Sequence, residues 1–230
     1  MLILIDKKIP GKAKLSLSRT GEIIELETAG ITYNAISGHP DIFFFQSISG
    51  LIMAPGLPEK YFEFLDKKGI RFIKGSSAVG AKYPESAAYN AVRNENYLIH
   101  NLSATNSSIL EDSVSLEKIN VRQGYCRCNL IALKEDHFIT SDEAIDRELR
   151  SRELKSLYIS PGEIILPGFP HGFLGGACGV FENKFFLIGS LNSLSNGEEL
   201  HRYLESLDYT IIELYNGQVF DGGSILFIAE

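Results

Sequence analysis

The sequence predicts an α/β protein, a five-fold pseudo-symmetric propeller of ββαβ units arranged around a central axis. The first observation behind this prediction is a β-hairpin pattern that recurs along the chain at intervals of about 40–50 residues. The second is that a helical or weakly helical stretch and a further strand follow these hairpins. The third is that the two chain ends supply complementary parts of one unit.

The hairpin pattern is clearest in two segments that align residue by residue, 88–100 and 177–189. Each is an apolar run, a polar turn that contains Asn, and a second apolar run, which is typical of a tight β-hairpin. A third copy covers 127–140 and has one more residue in its turn. A fourth copy covers 41–54. We expect both apolar runs of each copy to be strands.

Helical spacing of apolar residues follows the hairpins. It is clear in 58–68 and 196–206. In 141–155 we expect Ser141 to be the N-cap, and the two acids that follow it suit the positive end of the helix dipole. The segment 103–118 is rich in Ser and Thr and only weakly periodic. Third strands are predicted at 70–73, 157–159 and 209–214.

The two ends of the chain complete the fifth unit. Residues 223–229 form one strand with no partner after it, while 2–5, 10–19 and 22–26 supply a second strand, a helix and a third strand. Closing the ring in this way removes exposed sheet edges. The approximate units are 36–75, 85–121, 122–168, 171–216, and 221–230 together with 1–30. The alternative is an unrelated α/β fold with coincidental hairpins.

Composition limits the class of protein. The 230 residues are 44% hydrophobic and 22% charged, which fits one soluble domain over 1–230. A net charge of −7 argues against a nucleic-acid or anionic-membrane surface. No run reaches the roughly 20 apolar residues of a membrane span. The apolar start reads as a strand without a signal-peptide pattern, and three cysteines indicate reduced thiols, so we expect a cytoplasmic protein.

The ring of five units resembles the pentein fold, also called the guanidino-modifying-enzyme fold, shared by arginine deiminases, dimethylargininases and amidinotransferases. The resemblance rests on the repeat pattern over the whole chain and on the glycine-rich segments 175–179 and 221–224. The chain is also similar to uncharacterised bacterial proteins of this fold that contain a motif like 170–178. That similarity implies a fold and no tested activity.

The resemblance implies a site where the first strands of the units begin. In the family two carboxylates hold a guanidinium, a Cys thiolate attacks its central carbon, and a His moves protons. The family places that Cys in the last unit, shortly after a pair of glycines. This chain has Gly222 and Gly223 there but no cysteine, and the nearby Ser224 has an unactivated hydroxyl. The departure speaks against guanidine hydrolysis.

His171 and Cys178 are the candidate catalytic pair. The glycines between them allow a tight turn that would bring the imidazole over the thiol and lower its pKa. The alternative is that Cys178 begins a buried strand as a small hydrophobic residue. Cys126 and Cys128 are expected to share one face of a strand and to serve packing, because no further metal ligands lie at ordered spacing nearby.

The segments that open the units carry the candidate substrate-binding residues. These are His39, Asp41, Glu85, Asn90, Arg127, Asp221 and Ser224. The alternative for the acids is local turn chemistry, since Asp, Pro and Gly cluster in turns. A ligand site requires that these side chains converge on one concave pocket.

Two functions are compatible with these residues. The first is an axial site for a small amino-acid-like or guanidino compound, with amidine or guanidine C–N chemistry if the protein is an enzyme. The second is a non-catalytic interaction or scaffold module that uses the same ring. We expect no cofactor and no metal site. Nothing in the sequence specifies the ligand or the oligomeric state.

Overall fold

Residues 1–229 are described by a computed structural model, which contains five separate three-stranded sheets. In every sheet the middle strand pairs antiparallel with an inner strand and parallel with an outer strand. The five sheets surround a pseudo-five-fold axis that their inner strands face. The predicted propeller of ββαβ units is therefore confirmed.

Four sheets form from consecutive segments that follow an N-terminal β1–α1–β2 portion. In chain order the elements are β1 (Leu2–Asp6), α1 (Gly11–Leu17) and β2 (Glu22–Leu26); α2 (Pro40–Phe43), β3 (Phe44–Gln46), β4 (Leu51–Met53), α3 (Glu59–Lys67) and β5 (Phe72–Lys74); β6 (Val92–Arg93), β7 (Tyr97–His100), α4 (Ser107–Asp112) and β8 (Glu117–Asn120); α5 (Cys126–Asn129), β9 (Leu130–Ala132), β10 (His137–Thr140), α6 (Glu143–Ser151) and β11 (Lys155–Tyr158); β12 (Cys178–Phe181), β13 (Lys184–Leu187), α7 (Gly197–Ser206) and β14 (Thr210–Glu213); and β15 (Leu226–Ile228).

The fifth sheet joins the two ends of the chain, as predicted. Its order is β15-β1-β2, with Leu2 opposite Ile228 in the antiparallel pair and opposite Glu22 in the parallel pair. Every residue of β1 is buried, because this middle strand is covered on both faces and paired along both edges. The ring is thus closed by hydrogen bonds between strands and not by continuous chain.

The helices pack their apolar faces on the sheets. Tyr61, Phe62 and Leu65 of α3 are buried, as spacing of i, i+1 and i+4 on one helix face requires. Helix α6 is capped by Asp142, whose Oδ1 accepts hydrogen bonds from the backbone N–H groups of Ala144 and Ile145. The predicted cap at Ser141 was wrong by one residue. No helix among residues 1–229 has the length and apolarity needed to cross a bilayer.

The segment that opens each consecutive unit is a single helical turn, and at 41–43 and 127–129 this corrects the prediction of a strand. We call these the opening turns; they are Pro40–Phe43, Glu85–Ala87, Cys126–Asn129 and Gly175–Ala177. Residues 221–225 take the same place in the fifth unit. The prediction that Cys126 and Cys128 share one face of a strand was therefore wrong, although both side chains are buried.

Candidate functional site

The opening turns meet on the axis and hydrogen-bond to one another through their backbones. The bonds run from Asp41 N to Gly223 O (3.1 Å), from Arg127 N to Asn90 O (2.9 Å), and from Ser224 N to Gly176 O (2.7 Å). Such close approach is possible because the fourth turn is Gly175-Gly176-Ala177: a Cβ on Gly175 would collide with the backbone carbonyls of Arg127 and Cys128. The axis is therefore filled at this end, which we call the opening end.

Seven buried polar side chains fill the axis there. This axial cluster consists of Asp6, His39, Asp41, Asn90, Cys128, Asp221 and Ser224. Five of the predicted substrate-binding residues thus lie close together. They are His39, Asp41, Asn90, Asp221 and Ser224.

Asp41 is the centre of one half of the axial cluster. Its Oδ2 lies 2.7 Å from Ser224 Oγ and 3.4 Å from Cys128 Sγ, and its backbone carbonyl accepts a hydrogen bond of 2.9 Å from Asn90 Nδ2. Its Oδ1 is buried without a hydrogen-bond partner among the described residues. Burial raises the pKa of this carboxyl, so the structure favours its neutral form.

Ser224 connects Asp41 to the fourth unit. Its Oγ also lies 2.9 Å from Gly175 O, so one hydroxyl faces two oxygens with a single proton. Protonated Asp41 resolves this, because it donates to Ser224 Oγ while Ser224 donates to Gly175 O. Ser224 has a left-handed φ of 72°, a conformation that this pair of contacts helps to hold.

His39 occupies the other half of the axial cluster, between two acids. Its Nε2 is 3.8 Å from Asp6 Oδ2 and its Nδ1 is 4.0 Å from Asp221 Oδ1. Burial, with a smaller effect of Lys8, lowers the pKa of His39 to about 3, so the ring is neutral. Burial raises the pKa of Asp6 to about 6. Burial and the nearby Asp41 raise the pKa of Asp221 to about 7. Near neutral pH these acids hold protons or are close to doing so.

The candidate catalytic pair is separated in the structure. Cys178 is fully buried, its Sγ lies 3.8 Å from Gly175 O, and burial raises the pKa of its thiol to about 12. His171 is half-buried, and its Nδ1 is 3.0 Å from the carbonyl oxygen of Gly172. No hydrogen bond joins the two side chains anywhere in the described residues. The geometry supplies no base for this thiol.

Two further predicted residues lie outside the axial cluster. Glu85 is exposed, and it begins the second opening turn with its side chain against Gly80. Arg127 contributes its backbone N–H to the ring of opening turns, but its side chain lines a cavity of about 940 Å³ on the other side of them. We call this the hairpin-end cavity, because inner strands and the hairpin turns 46–48, 94–96 and 134–136 line it. Within residues 1–229 no three His, Cys, Asp or Glu side chains are arranged to hold a metal ion.

Sequence reasoning missed a group of aromatic residues outside the opening turns. Tyr33, Tyr83, Tyr125 and Phe169 line a cavity of about 630 Å³, which we call the aromatic pocket. The ring centroids of Tyr33 and Phe169 are 5.6 Å apart, and those of Tyr83 and Tyr125 are 6.0 Å apart. These residues come from loops of different units, so no local pattern could have revealed them.

The aromatic pocket adjoins the axial cluster. Burial raises the pKa of Tyr33, and Tyr125, Cys128 and Asp221 add to this shift. The Tyr33 hydroxyl is therefore within electrostatic reach of the buried acids. Tyr125 contacts the second opening turn through a 2.6 Å hydrogen bond between its hydroxyl and Ser86 Oγ. The pocket thus lies at the opening end of the axis, where the sequence predicted a site.

Comparison with protein families gives one match, and it covers most of the chain. The model of DUF6873, a family of unknown function, matches residues 4–226. Comparison with curated proteins gives no match.

Solved structures of similar fold are guanidino-modifying enzymes. A Cys-to-Ser mutant of DDAH from Pseudomonas aeruginosa complexed with citrulline has a TM-score of 0.55 at 8% identity, covering 92% of this chain and 91% of that one. C. jejuni agmatine deiminase with substrate bound has a TM-score of 0.57 at 10% identity, covering 94% and 90%. An amidinotransferase from Microseira wollei in the saxitoxin biosynthetic pathway has a TM-score of 0.57 at 10% identity, covering 92% and 87%. At these identities the similarity shows a shared pentein fold alone.

Proposed function

The chain belongs to the DUF6873 family of unknown function, and we propose that it binds a small amino-acid-like or guanidino compound in the aromatic pocket without chemical conversion. The observation that carries this proposal is the position of the pocket. Four aromatic side chains and Lys82 line a cavity of about 630 Å³ at the end of the axis, where the charge of Asp221 reaches Tyr33.

Aromatic faces suit such a ligand. Guanidinium and ammonium groups are attracted to the faces of tyrosine and phenylalanine rings, and a planar guanidinium also stacks on them. Each acid of the axial cluster that ionises strengthens this attraction. Three of the four rings are partly exposed (Tyr33 37%, Tyr83 49%, Phe169 48%), so a ligand can reach them from solvent. The fold neighbours with citrulline or substrate bound are consistent with a small-molecule role.

Several features support binding without thiol chemistry. Cys128 and Cys178 are buried, and burial raises the pKa of both thiols, which leaves little thiolate at neutral pH. The last unit carries Ser224, whose buried hydroxyl is hydrogen-bonded to Asp41 and to the carbonyl oxygen of Gly175. The opening turns fill the axis, so a ligand in the aromatic pocket is held away from these groups.

Calorimetric titration with L-arginine, agmatine and L-citrulline tests the proposal. We expect saturable binding of at least one compound, weakened about tenfold or more by Tyr33→Ala or Phe169→Ala, because each removes a ring face worth roughly 1–2 kcal/mol. Val114→Ala, an exposed apolar position outside the pocket, is the matched control. Absence of binding by all three compounds, or equal loss in the control, contradicts the proposal.

The non-catalytic part has its own test. Incubation with the same compounds should release no ammonia and no citrulline, and maleimide should label Cys128 and Cys178 only after unfolding in urea. Turnover, or rapid labelling of Cys178 in the folded protein, would overturn this part while leaving the binding result intact.

A second candidate is a non-catalytic interaction module. It is favoured by the same half-exposed rings of Tyr33, Tyr83 and Phe169, which would be central contacts in a protein interface. Light scattering across protein concentration separates the two functions. If the compounds do not bind and Tyr33→Ala abolishes self-association, the rings serve an interface between copies of the chain.

A further inference from the structure

The hairpin-end cavity lies at the end of the axis opposite the aromatic pocket, and it has a different chemistry. Inner strands of all five sheets reach its wall, through Phe44, Val92, Ile131, Val180 and Leu226. Its volume of about 940 Å³ is in the range of small-molecule sites in proteins. Half of its lining residues are polar or charged, and the charged ones that determine what it would select are Arg93, Glu95, Arg127, Lys134, Glu135 and Asp136.

Two arginines lie in this wall. Arg93 and Arg127 are half-buried, whereas the other arginines of the chain are exposed. Arg93 is on the inner strand of the second unit, and Arg127 is in the opening turn of the third. The backbones of these units are joined where Arg127 N donates to Asn90 O, so the two arginines come from neighbouring parts of the ring.

Neither guanidinium forms a salt bridge with a carboxylate among residues 1–229, although Asp112 and Glu95 act on Arg93, and Asp41 on Arg127, over longer distances. Arg93 Nη2 donates to Asn94 O at 3.0 Å and Arg127 Nη1 donates to Gly175 O at 3.2 Å. Arg93 Nε is buried with no hydrogen-bond partner in the described part of the chain. No carboxylate oxygen in residues 1–229 lies within 4.0 Å of either group, although the chain has a net charge of −7.

A half-buried cation without a partner is unfavourable in the free protein. Burial lowers the pKa of Arg93, and the more distant Asp112 and Glu95 offset this only in part. A guanidinium has five N–H donors in a planar fork that matches carboxylate and phosphate oxygens, and most of these donors are unused here. An anion that entered the cavity would satisfy them and remove the penalty.

The acids that line the cavity do not form salt bridges with the two arginines. Glu95 and Glu135 are exposed at the hairpin turns, where solvent and salt screen them. Asp136 accepts hydrogen bonds from the side-chain amides of Asn94 (2.7 Å) and Asn96 (2.8 Å). The cavity therefore has acids at its exposed rim and unpaired arginines deeper in its wall.

We propose that the hairpin-end cavity is an anion site, in which Arg93 and Arg127 bind the carboxylate or phosphate group of a small molecule. This site is separate from the aromatic pocket, because the opening turns lie between them.

Calorimetric titration with inorganic phosphate and with succinate, at constant ionic strength, tests the site. We expect one of them to bind saturably, and Arg93→Gln or Arg127→Gln to weaken that binding at least tenfold. Arg202→Gln removes the same charge from an exposed helix position and should bind as the wild type does. Binding of phosphate alone indicates a phosphate-bearing ligand, and binding of succinate alone indicates a carboxylate.

Thermal unfolding distinguishes a ligand site from a structural role. Without added anion, Arg93→Gln should unfold at the same temperature as the wild type or higher, because it removes an unpaired charge. Phosphate or succinate should raise the unfolding temperature of the wild type and of Arg202→Gln only. Failure of both probes to bind, equal weakening in Arg202→Gln, or a lowered unfolding temperature in Arg93→Gln would overturn the proposal.

Discussion

The two ends of the axis have the same five-fold surroundings and opposite properties. At the opening end, turns hydrogen-bond across the axis and enclose acids, a neutral histidine and a serine. At the hairpin end, the inner strands diverge into polar turns and leave a cavity with two unpaired arginines. The repeated backbone therefore does not determine whether the axis is open. Side-chain size at the opening turns does, since glycine at 175 and 176 permits the contact that seals one end.

The largest effect is expected from breaking the seal. Gly175→Ala places a methyl group against the carbonyls of Arg127 and Cys128, which are backbone atoms that cannot rotate away. We expect a loss of about 3 kcal/mol in the free energy of unfolding, measured by urea denaturation. Gly162→Ala, where an added Cβ meets nothing within 4 Å, is the control. A loss below about 0.5 kcal/mol at position 175 would mean that the opening end is not sealed.

The protonation of the axial cluster gives the next effect. In the unfolded chain Asp6 and Asp221 titrate near 3.8, and in the folded chain their pKa values are about 6 and about 7. The folded state therefore binds more protons between these values, so stability falls as pH rises from about 4 to 7. Each such group contributes about 1.4 kcal/mol per pH unit.

His39 opposes this trend over part of the range. Its pKa is about 3 when folded and 6.5 when unfolded, so its contribution rises with pH in that interval. Because the raised pKa values of Asp6, Asp221 and Asp41 together outweigh the lowered pKa of one histidine, we expect a net fall in stability that is clearest above pH 6.5, where His39 no longer opposes it. Asp41→Asn should lower the pKa of Asp221 and move the fall to lower pH, whereas Arg93→Gln at the hairpin end should not. Urea titrations from pH 5 to 8 measure this; stability that rises across the range would contradict it.

A matched pair of serines gives the smallest effect. Ser224 at the opening end and Ser47 at the hairpin end each hydrogen-bond to an aspartate side chain, Asp41 at 2.7 Å and Asp112 at 2.8 Å. Ser224 is fully buried, so Ser224→Ala should cost about 1–2 kcal/mol, because Gly175 O loses its donor and protonated Asp41 loses its acceptor. Ser47→Ala should change the free energy of unfolding by less than about 0.5 kcal/mol. Equal losses would show that the two ends do not differ in burial.

Much of the fold could be predicted from the sequence because the hairpins and helices depend on patterns of neighbouring residues. Segment 177–189 contains β12 and β13 as expected, and its turn residue Glu182 has the left-handed φ of 53° that a tight hairpin uses. The opening turns Pro40–Phe43 and Cys126–Asn129 were misread as strands because a run of four residues is too short for its period to show. For the same reason, the i, i+2 spacing of Cys126 and Cys128 did not distinguish a strand from a helical turn.

The site was less predictable because it depends on contacts between units. The resemblance directed attention to a set of residues that the structure brings together, Asp41, Asn90, Asp221 and Ser224, but no sequence pattern indicates that they are buried away from solvent. Arg127 shares its turn with Cys128, yet one side chain lines the hairpin-end cavity and the other joins the axial cluster. Which side chain faces which end of the axis depends on the direction of single Cα–Cβ bonds in a one-turn helix, and the sequence does not specify that direction.

The pairing of β15 with β1 has a consequence for the order in which the sheets assemble. The other four sheets form from segments close together in sequence, whereas β1 and β15 lie far apart along the chain, so their pairing carries the largest loop-closure entropy. Until they pair, the edge of β1 at Leu2, Ile3 and Leu4 lacks its antiparallel partner and is open to pairing with another chain. We therefore expect closure of this sheet to be the last step in folding of the ring and the step most exposed to aggregation.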